Sequence, residues 1–262
     1  MDLGITGKNA LVTGGANGIG QAISIDLAKE GVNIFFTSRD DKTIKKGEIL
    51  LKKFGIKAKG YKVDFLKKAQ FSQFLKKIKK LEIDILINNA GHTFDVKDPY
   101  CNISDWRKVM SVNFETPVQI INAVVKSMKR KKWGRIVNIT SCAGLENSGP
   151  VTYTVSKAAL TAYSRTMGRI LASESQDIVM SALFPGVVAT KGGHWDKILK
   201  TNPSHAKKYL SERCPLGRFG RVEEISPVVT FYSSKLVSFS QGAIVPVDGG
   251  QSKHFMYHNY LS

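Results

Sequence analysis

A tyrosine and a lysine four residues apart, Tyr153 and Lys157, follow a hydroxyl residue, Ser141, in the run SCAGLENSGPVTYTVSK. On a helix, residues i and i+4 share a face, so the phenol and the amine can share a pocket. A free phenol titrates near ~10, too high for proton exchange at neutral pH, and a nearby ammonium group lowers that value by favouring phenolate. The pair is therefore equipped to give and take a proton, and the Ser141 hydroxyl can hold the oxygen that receives it. Each residue also has a plainer use: Ser141 as a turn or cap, Tyr153 as a half-buried aromatic, Lys157 as a solvated helix lysine.

A second set of residues is suited to phosphates. The run TGGANGIG places Gly14, Gly18 and Gly20 between a strand and a helix, in G-x3-G-x-G spacing. Glycines there let the backbone turn tightly and let a pyrophosphate approach the unpaired N–H groups of the helix N-terminus. The next strand, NIFFTS, ends at Ser38 and is followed by Arg39. An acidic strand end would bind both ribose hydroxyls and select NAD, whereas a cation pairs with a 2′-phosphate. NADP(H) is favoured on this logic, with NAD(H) left open because Asp40 and Asp41 follow and could neutralise the arginine. Asp64, closing YKVDF, is placed to accept a hydrogen bond from an adenine amino group or to cap the following helix.

These residues need elements to hold them. Apolar runs of strand length alternate with amphipathic stretches at 19–30, 41–54, around Phe71, at about 105–130, from about Tyr153 to Glu174, and near 222–235. Such alternation means βαβ crossovers and a doubly wound α/β fold with a parallel sheet. The runs DILIN and RIVNI suit central strands buried on both faces. We expect one domain over 1–262, interrupted by a polar insertion at about 190–215 that reads as a lid or flexible loop.

The chain carries 39 basic and 21 acidic residues, a net charge of +18, which raises nucleic acid as a partner. Yet in KKAQFSQFLKKIKK the apolar Phe71, Phe74, Leu75 and Ile78 fall on one helical face and the lysines on the other, and no nucleic-acid-binding motif accompanies them. No nucleic-acid partner is expected. No apolar run approaches ~18 residues, and Asp2 sits where a signal peptide would be basic, so no membrane association and a cytoplasmic location are expected. Cys101, Cys142 and Cys214 lack CxxC spacing and read as buried thiols; neither they nor the histidines ask for a metal.

TGGANGIG, NNAG at 88–91, VN at 112–113, SCAG at 141–144, YTVSK at 153–157, PGVVAT at 185–190, PLGRFG at 215–220 and VDGG at 247–250 span nearly the whole chain. In this order they resemble the short-chain dehydrogenase/reductase family, in its 3-oxoacyl-(acyl carrier protein) reductase-like branch. The resemblance implies a single-domain Rossmann fold with about seven strands, a nicotinamide cofactor, and a homotetramer or homodimer. It implies an oxidoreductase that moves hydride between nicotinamide and a carbonyl or secondary alcohol. Tyr153 would be the general acid and base, Ser141 would hold the carbonyl oxygen, Lys157 would bind the nicotinamide ribose, and Asn113 would fix a water linking Lys157 to solvent. Cofactor contacts are implied at Gly14, Asn17, Gly18, Ile19 and Gly20, at Ser38 and Arg39, and at Asp64 and Phe65. Further contacts are implied at Asn89, Ala90 and Gly91 along the adenosine side, and at Val188 and Thr190 against the carboxamide.

The chain departs from the family pattern in places. Ser141 lies one residue nearer Tyr153 than the branch has it, which makes Thr140 a rival. Asn17 stands where NADP-specific members often carry a base. Lys132 and Glu174 align with arginines that engage an acidic carrier, and the glutamate has the wrong sign. The substrate is a small molecule: a 3-oxoacyl compound or other small ketone, or alternatively a sugar or nucleotide-sugar derivative. His194 and Trp195 of the insertion could meet a ring, although a lid tryptophan more often packs. Phe255, Tyr257 and Tyr260 of the tail are expected on the substrate side or against a neighbouring subunit. A catalytically silent nucleotide-sensing or nucleic-acid-binding relative is the remaining alternative, and the complete set Asn113, Ser141, Tyr153 and Lys157 argues against it.

Overall fold

The apolar runs become strands whose alternate side chains feed two cores. In the computed structural model, which describes residues 1–146, 148–175 and 177–253, Ala10, Val12, Ile85, Ile87, Val137 and Ile139 face one side of a sheet. Leu11, Leu86 and Ile136 face the other. This period of two buries both faces, as the continuous hydrophobicity of ILIN and GRIVNI requires.

The strands are β1 (Asn9–Val12), β2 (Asn33–Ser38), β3 (Ala58–Lys62), β4 (Ile85–Asn88), β5 (Gly134–Ile139), β6 (Ile178–Pro185) and β7 (Ile244–Val247). They form one parallel seven-stranded sheet in the order β3-β2-β1-β4-β5-β6-β7. The order reverses beside β1, which pairs with both β2 and β4, and such a reversal opens a crevice at the carboxyl ends of the strands.

Helices α1 (Gly18–Lys29), α2 (Asp41–Lys52) and, later in the chain, α10 (Val222–Tyr232) bring Ile23, Leu27, Leu51, Ile225 and Val229 to the first core. Helices α3 (Lys68–Ile78), α5 (Thr116–Lys131) and α7 (Val151–Glu174) bring Phe71, Phe74, Ile120, Val124 and Leu171 to the second. As the α3 periodicity predicts, Phe71, Phe74 and Ile78 are buried.

Two elements differ from expectation. The helix anticipated over about 105–130 is α4 (Ile103–Met110) joined to α5 by a π-helical turn at Ser111–Glu115. The insertion at 190–215 folds into α8 (His194–Thr201) and α9 (Pro203–Arg213), after the short α6 (Ala143–Glu146) has already shaped the loop beyond β5. Among the described residues no helix is long and apolar enough to cross a membrane. Phe255, Tyr257 and Tyr260 lie outside the described residues.

Candidate active site

Thr13, at the end of β1, organises the crevice. Its Oγ1 accepts the N–H groups of Asn89 at 2.9 Å and Ala90 at 3.0 Å. Asn89 Nδ2 donates to the Thr13 carbonyl at 3.0 Å. The NNAG strand end is thus stitched to the glycine turn. The Asn89 side chain is committed to holding that turn, and Gly91 beyond it is exposed.

The turn itself fits a pyrophosphate. Gly14 and Gly18 adopt φ of +65° and +53°, a region L side chains avoid. A Cβ on Gly20 would lie 2.4 Å from the Gly14 carbonyl oxygen. Asn17 caps α1 by position only: its side chain makes no capping bond, and the first turn holds no acidic residue. The α1 N–H groups therefore face the crevice without a competing carboxylate, as an anion needs. Ile19 packs against the first core, and Thr190 lies against the turn, its Cγ2 at 3.3 Å from a Cβ built on Gly18. Val188 is held by a bridge to Gly220.

At the end of β2, Ser38 Oγ accepts the Asp40 N–H at 3.3 Å and shapes the bend that presents Arg39. The acidic neighbours do not neutralise it. Asp40 accepts the Thr43 N–H at 2.7 Å as the cap of α2, and Asp41 pairs with Lys62. Among the described residues Arg39 makes no ion pair, and its charge reaches His92 across the crevice: partial burial first, then Arg39, hold the His92 imidazole below its usual pKa. Asp64 Oδ1 accepts the Leu66 N–H at 3.1 Å, so it shapes a turn and does not cap α3, whose N-cap is Lys67. Phe65 packs edge-on against Phe71 at 5.4 Å.

On the other side of the crevice, Ser141 lies two residues beyond the end of β5. The rival Thr140 is buried and donates to the Leu183 carbonyl at 3.3 Å, whereas Ser141 is half-buried and lies beside the Tyr153 hydroxyl. Gly144 makes this approach possible: a Cβ there would lie 2.8 Å from the Ala158 nitrogen of α7.

Lys157 is no solvated lysine. It is 3% exposed, its Nζ donates to the Ile139 carbonyl at 2.8 Å, and it lies 5.7 Å from the centre of the Tyr153 ring. Burial lowers Lys157 to about 8. The expected lowering of Tyr153 is absent: burial pushes it up to about 12, against the opposing pull of the Ser141 hydroxyl. Loss of hydration outweighs attraction to an amine that is turned toward a carbonyl.

Asn113, in the π turn, is fully buried. Its Nδ2 donates to the carbonyls of His92 at 2.8 Å and Val109 at 2.9 Å, and its Oδ1 accepts the His92 N–H at 3.0 Å. The carboxamide hydrogen-bonds within the protein and fixes the backbone beside Lys157: a Cβ on Gly91 would lie 2.7 Å from Asn113 Oδ1 and 3.0 Å from Lys157 Nζ.

The lid aromatics pack among themselves. Trp195 meets Tyr209 at 4.4 Å, Phe219 at 5.1 Å and His194 at 5.2 Å, and stacks on His205 at 6.3 Å. The sequence did not single out Gln251, just past the VDGG motif. It donates to the Tyr209 hydroxyl at 2.9 Å and accepts the Val187 N–H at 3.0 Å, tying the lid to the PGVVAT turn. Of the cysteines, Cys142 and Cys214 are buried but Cys101 is partly exposed, because it sits in the open loop before α4. Burial, with Asp248 nearby, pushes Cys142 up to about 11, so its thiol stays protonated. Lys132 is exposed at the end of α5, and Glu174 is paired with Lys129 at 2.7 Å.

Comparison with known proteins places this arrangement. The model of the short chain dehydrogenase family matches residues 8–197. The 3-oxoacyl-[acyl-carrier-protein] reductase of Aquifex aeolicus is 34% identical over 254 residues, 95% of this chain and 99% of that protein. The L-sorbose reductase of Gluconobacter frateurii, solved with NADPH and L-sorbose, superposes with a TM-score of 0.88 at 27% identity, over 97% of this chain and 99% of that one. A 3-oxoacyl (acyl-carrier-protein) reductase from Agrobacterium tumefaciens C58, solved with NADP, gives 0.86 at 25% identity, over 95% and 96%. A glycine turn at the switch point of a parallel sheet, a buried lysine beneath a tyrosine, and a match through most of its length agree: the chain belongs to the short chain dehydrogenase family.

Proposed function

We propose that the protein is an NADP(H)-dependent oxidoreductase interconverting a ketone and a secondary alcohol, with Tyr153 as general acid and base. The observation that carries this reading is the convergence of the Tyr153 phenol, the buried Lys157 amine and the Ser141 hydroxyl at the carboxyl end of β5. Gly14, Gly18 and Gly20 would hold the pyrophosphate, Arg39 the 2′-phosphate, and Val188 and Thr190 the carboxamide. Similar proteins solved with NADPH and with NADP support the cofactor choice. The chemistry that NADP(H) supplies when bound is hydride exchange with a carbonyl carbon. Ser141 donates a hydrogen bond to the carbonyl oxygen and fixes it against Tyr153, which gives that oxygen its proton.

With a pKa of about 12 the phenol is fully protonated at neutral pH, a state suited to the reductive direction. Lys157, at about 8, is mostly cationic below that pH and can return a proton to the phenol. The test is NADPH oxidation, followed by absorbance, with a panel of ketones. Turnover of at least one ketone is expected, and Tyr153→Phe should remove it, by ~10³-fold or more, while NADPH binding survives. Normal turnover by Tyr153→Phe would overturn the proposal.

A further inference from the structure

The substrate's remote end must meet whatever lies beyond Ser141, and that region is polar. The loop after α6 returns to Tyr153 directly: a Cβ on Gly149 would lie 3.5 Å from Tyr153 Cδ1. Its neighbour Ser148 lines a cavity of about 490 Å³ bounded by Glu146, the end of α9 and the segment after β7. The Ser148 hydroxyl lies near both the Cys142 thiol and the Tyr209 hydroxyl. Gln251 fixes Tyr209 from behind at 2.9 Å. The Arg213 guanidinium lies 5.7 Å from the centre of the Tyr209 ring and also lines the cavity. Glu146 holds its position by accepting the Lys253 N–H at 2.7 Å and the Ser252 hydroxyl at 3.1 Å, both through Oε1. Glu212 is the second carboxylate on the wall.

We propose that this cavity receives the remote end of the substrate and selects a polyhydroxylated ketone, using Ser148, Arg213 and Glu146 as its hydrogen-bonding wall. The inference rests on the ketone reductase reading above and names the substrate class for it. An acyl chain would gain little here, because burying methylenes against a carboxylate and a guanidinium strips those groups of water without replacing their hydrogen bonds. Vicinal hydroxyls restore them, each donating to a carboxylate oxygen and accepting from the guanidinium or from Ser148. The wall carries both charge signs, so a neutral polyol suits it better than an anion.

The experiment measures kcat/KM with NADPH for a six-carbon ketose and for the ethyl ester of 3-oxohexanoate, in the wild type and in Ser148→Ala and Arg213→Met. The ketose should be preferred by the wild type. Each variant should raise the ketose KM by about tenfold, with kcat and the ester kinetics nearly unchanged. Thermal unfolding of each variant checks that it is folded. Preference for the ester, or equal losses on both substrates, would overturn the inference and leave the ketone reductase reading standing. Turnover of neither substrate nor any other ketone would overturn both.

Discussion

Lys157 shows how a single buried charge links stability to chemistry. Its pKa falls from the ordinary lysine value of 10.5 to about 8 because burial disfavours the ammonium form. Between those values the unfolded chain binds more protons than the folded one, so stability rises with pH across that window. Below pH 8 the full cost is present, about 3 kcal/mol at ~1.4 kcal/mol per unit. Replacing Lys157 by Met removes this dependence. Urea unfolding from pH 7.5 to 10.5 should show the wild type gaining about 2–3 kcal/mol relative to Lys157→Met, and parallel curves would refute the assignment. The same variant should lose activity, since the phenol then lacks its proton partner. A residue that costs stability below pH 8 and meets no solvent is more readily explained by function than by folding.

At the scale of elements, the π turn at Ser111–Glu115 is the feature that delivers Asn113 to the loop after β4. π turns insert an extra residue into a helix and often occur at functional sites. Here the turn lets one carboxamide bond both the N–H and the carbonyl of His92 while still holding the Val109 carbonyl. Asn113→Ala leaves the Val109 carbonyl buried and unpaired and removes two part-buried bonds to His92, which should cost about 2 kcal/mol and lower the thermal midpoint. Activity should fall as the backbone beside Lys157 loosens. Full loss of activity with an unchanged midpoint would contradict the stitching role. The lid makes a complementary point. Trp195, a tempting substrate ring partner by residue type, is absorbed into the α8–α9 aromatic cluster, while Glu212 and Arg213 at the end of α9 line the cavity.

The whole molecule carries a net charge of +18, and a dinucleotide is multiply anionic. Long-range attraction of this kind raises association rates and is screened by salt, with a Debye length near ~10 Å at 0.1 M. Arg39 would add a local contact for a 2′-phosphate, which NADH lacks. Fluorescence titration should show Arg39→Ala weakening NADPH by about tenfold or more and NADH by less than about threefold. Raising salt from 50 to 500 mM should weaken NADPH more than NADH in the wild type, and the variant should narrow that difference. Equal losses for the two cofactors would remove the specificity argument.

Much of this protein was legible in the residues themselves. The alternation of apolar runs with amphipathic stretches specified a parallel α/β sheet, because strand and helix periodicities are local. The glycine turn was readable for the same reason. So was the pairing of Tyr153 with Lys157, since i and i+4 on a helix need no knowledge of the rest of the chain. Only the folded chain decided what depends on residues far apart in sequence. Lys157 turns toward Ile139 and is stripped of water by neighbours from several elements, so burial reverses the expected shift of Tyr153. Asn113 and Asn89 spend their amides on the protein, Thr140 is consumed by β6, and Gln251 joins the lid to the PGVVAT turn. Periodicity reports which face a side chain occupies, whereas pKa, hydrogen-bond partners and the walls of a cavity are set by what tertiary packing brings against that face.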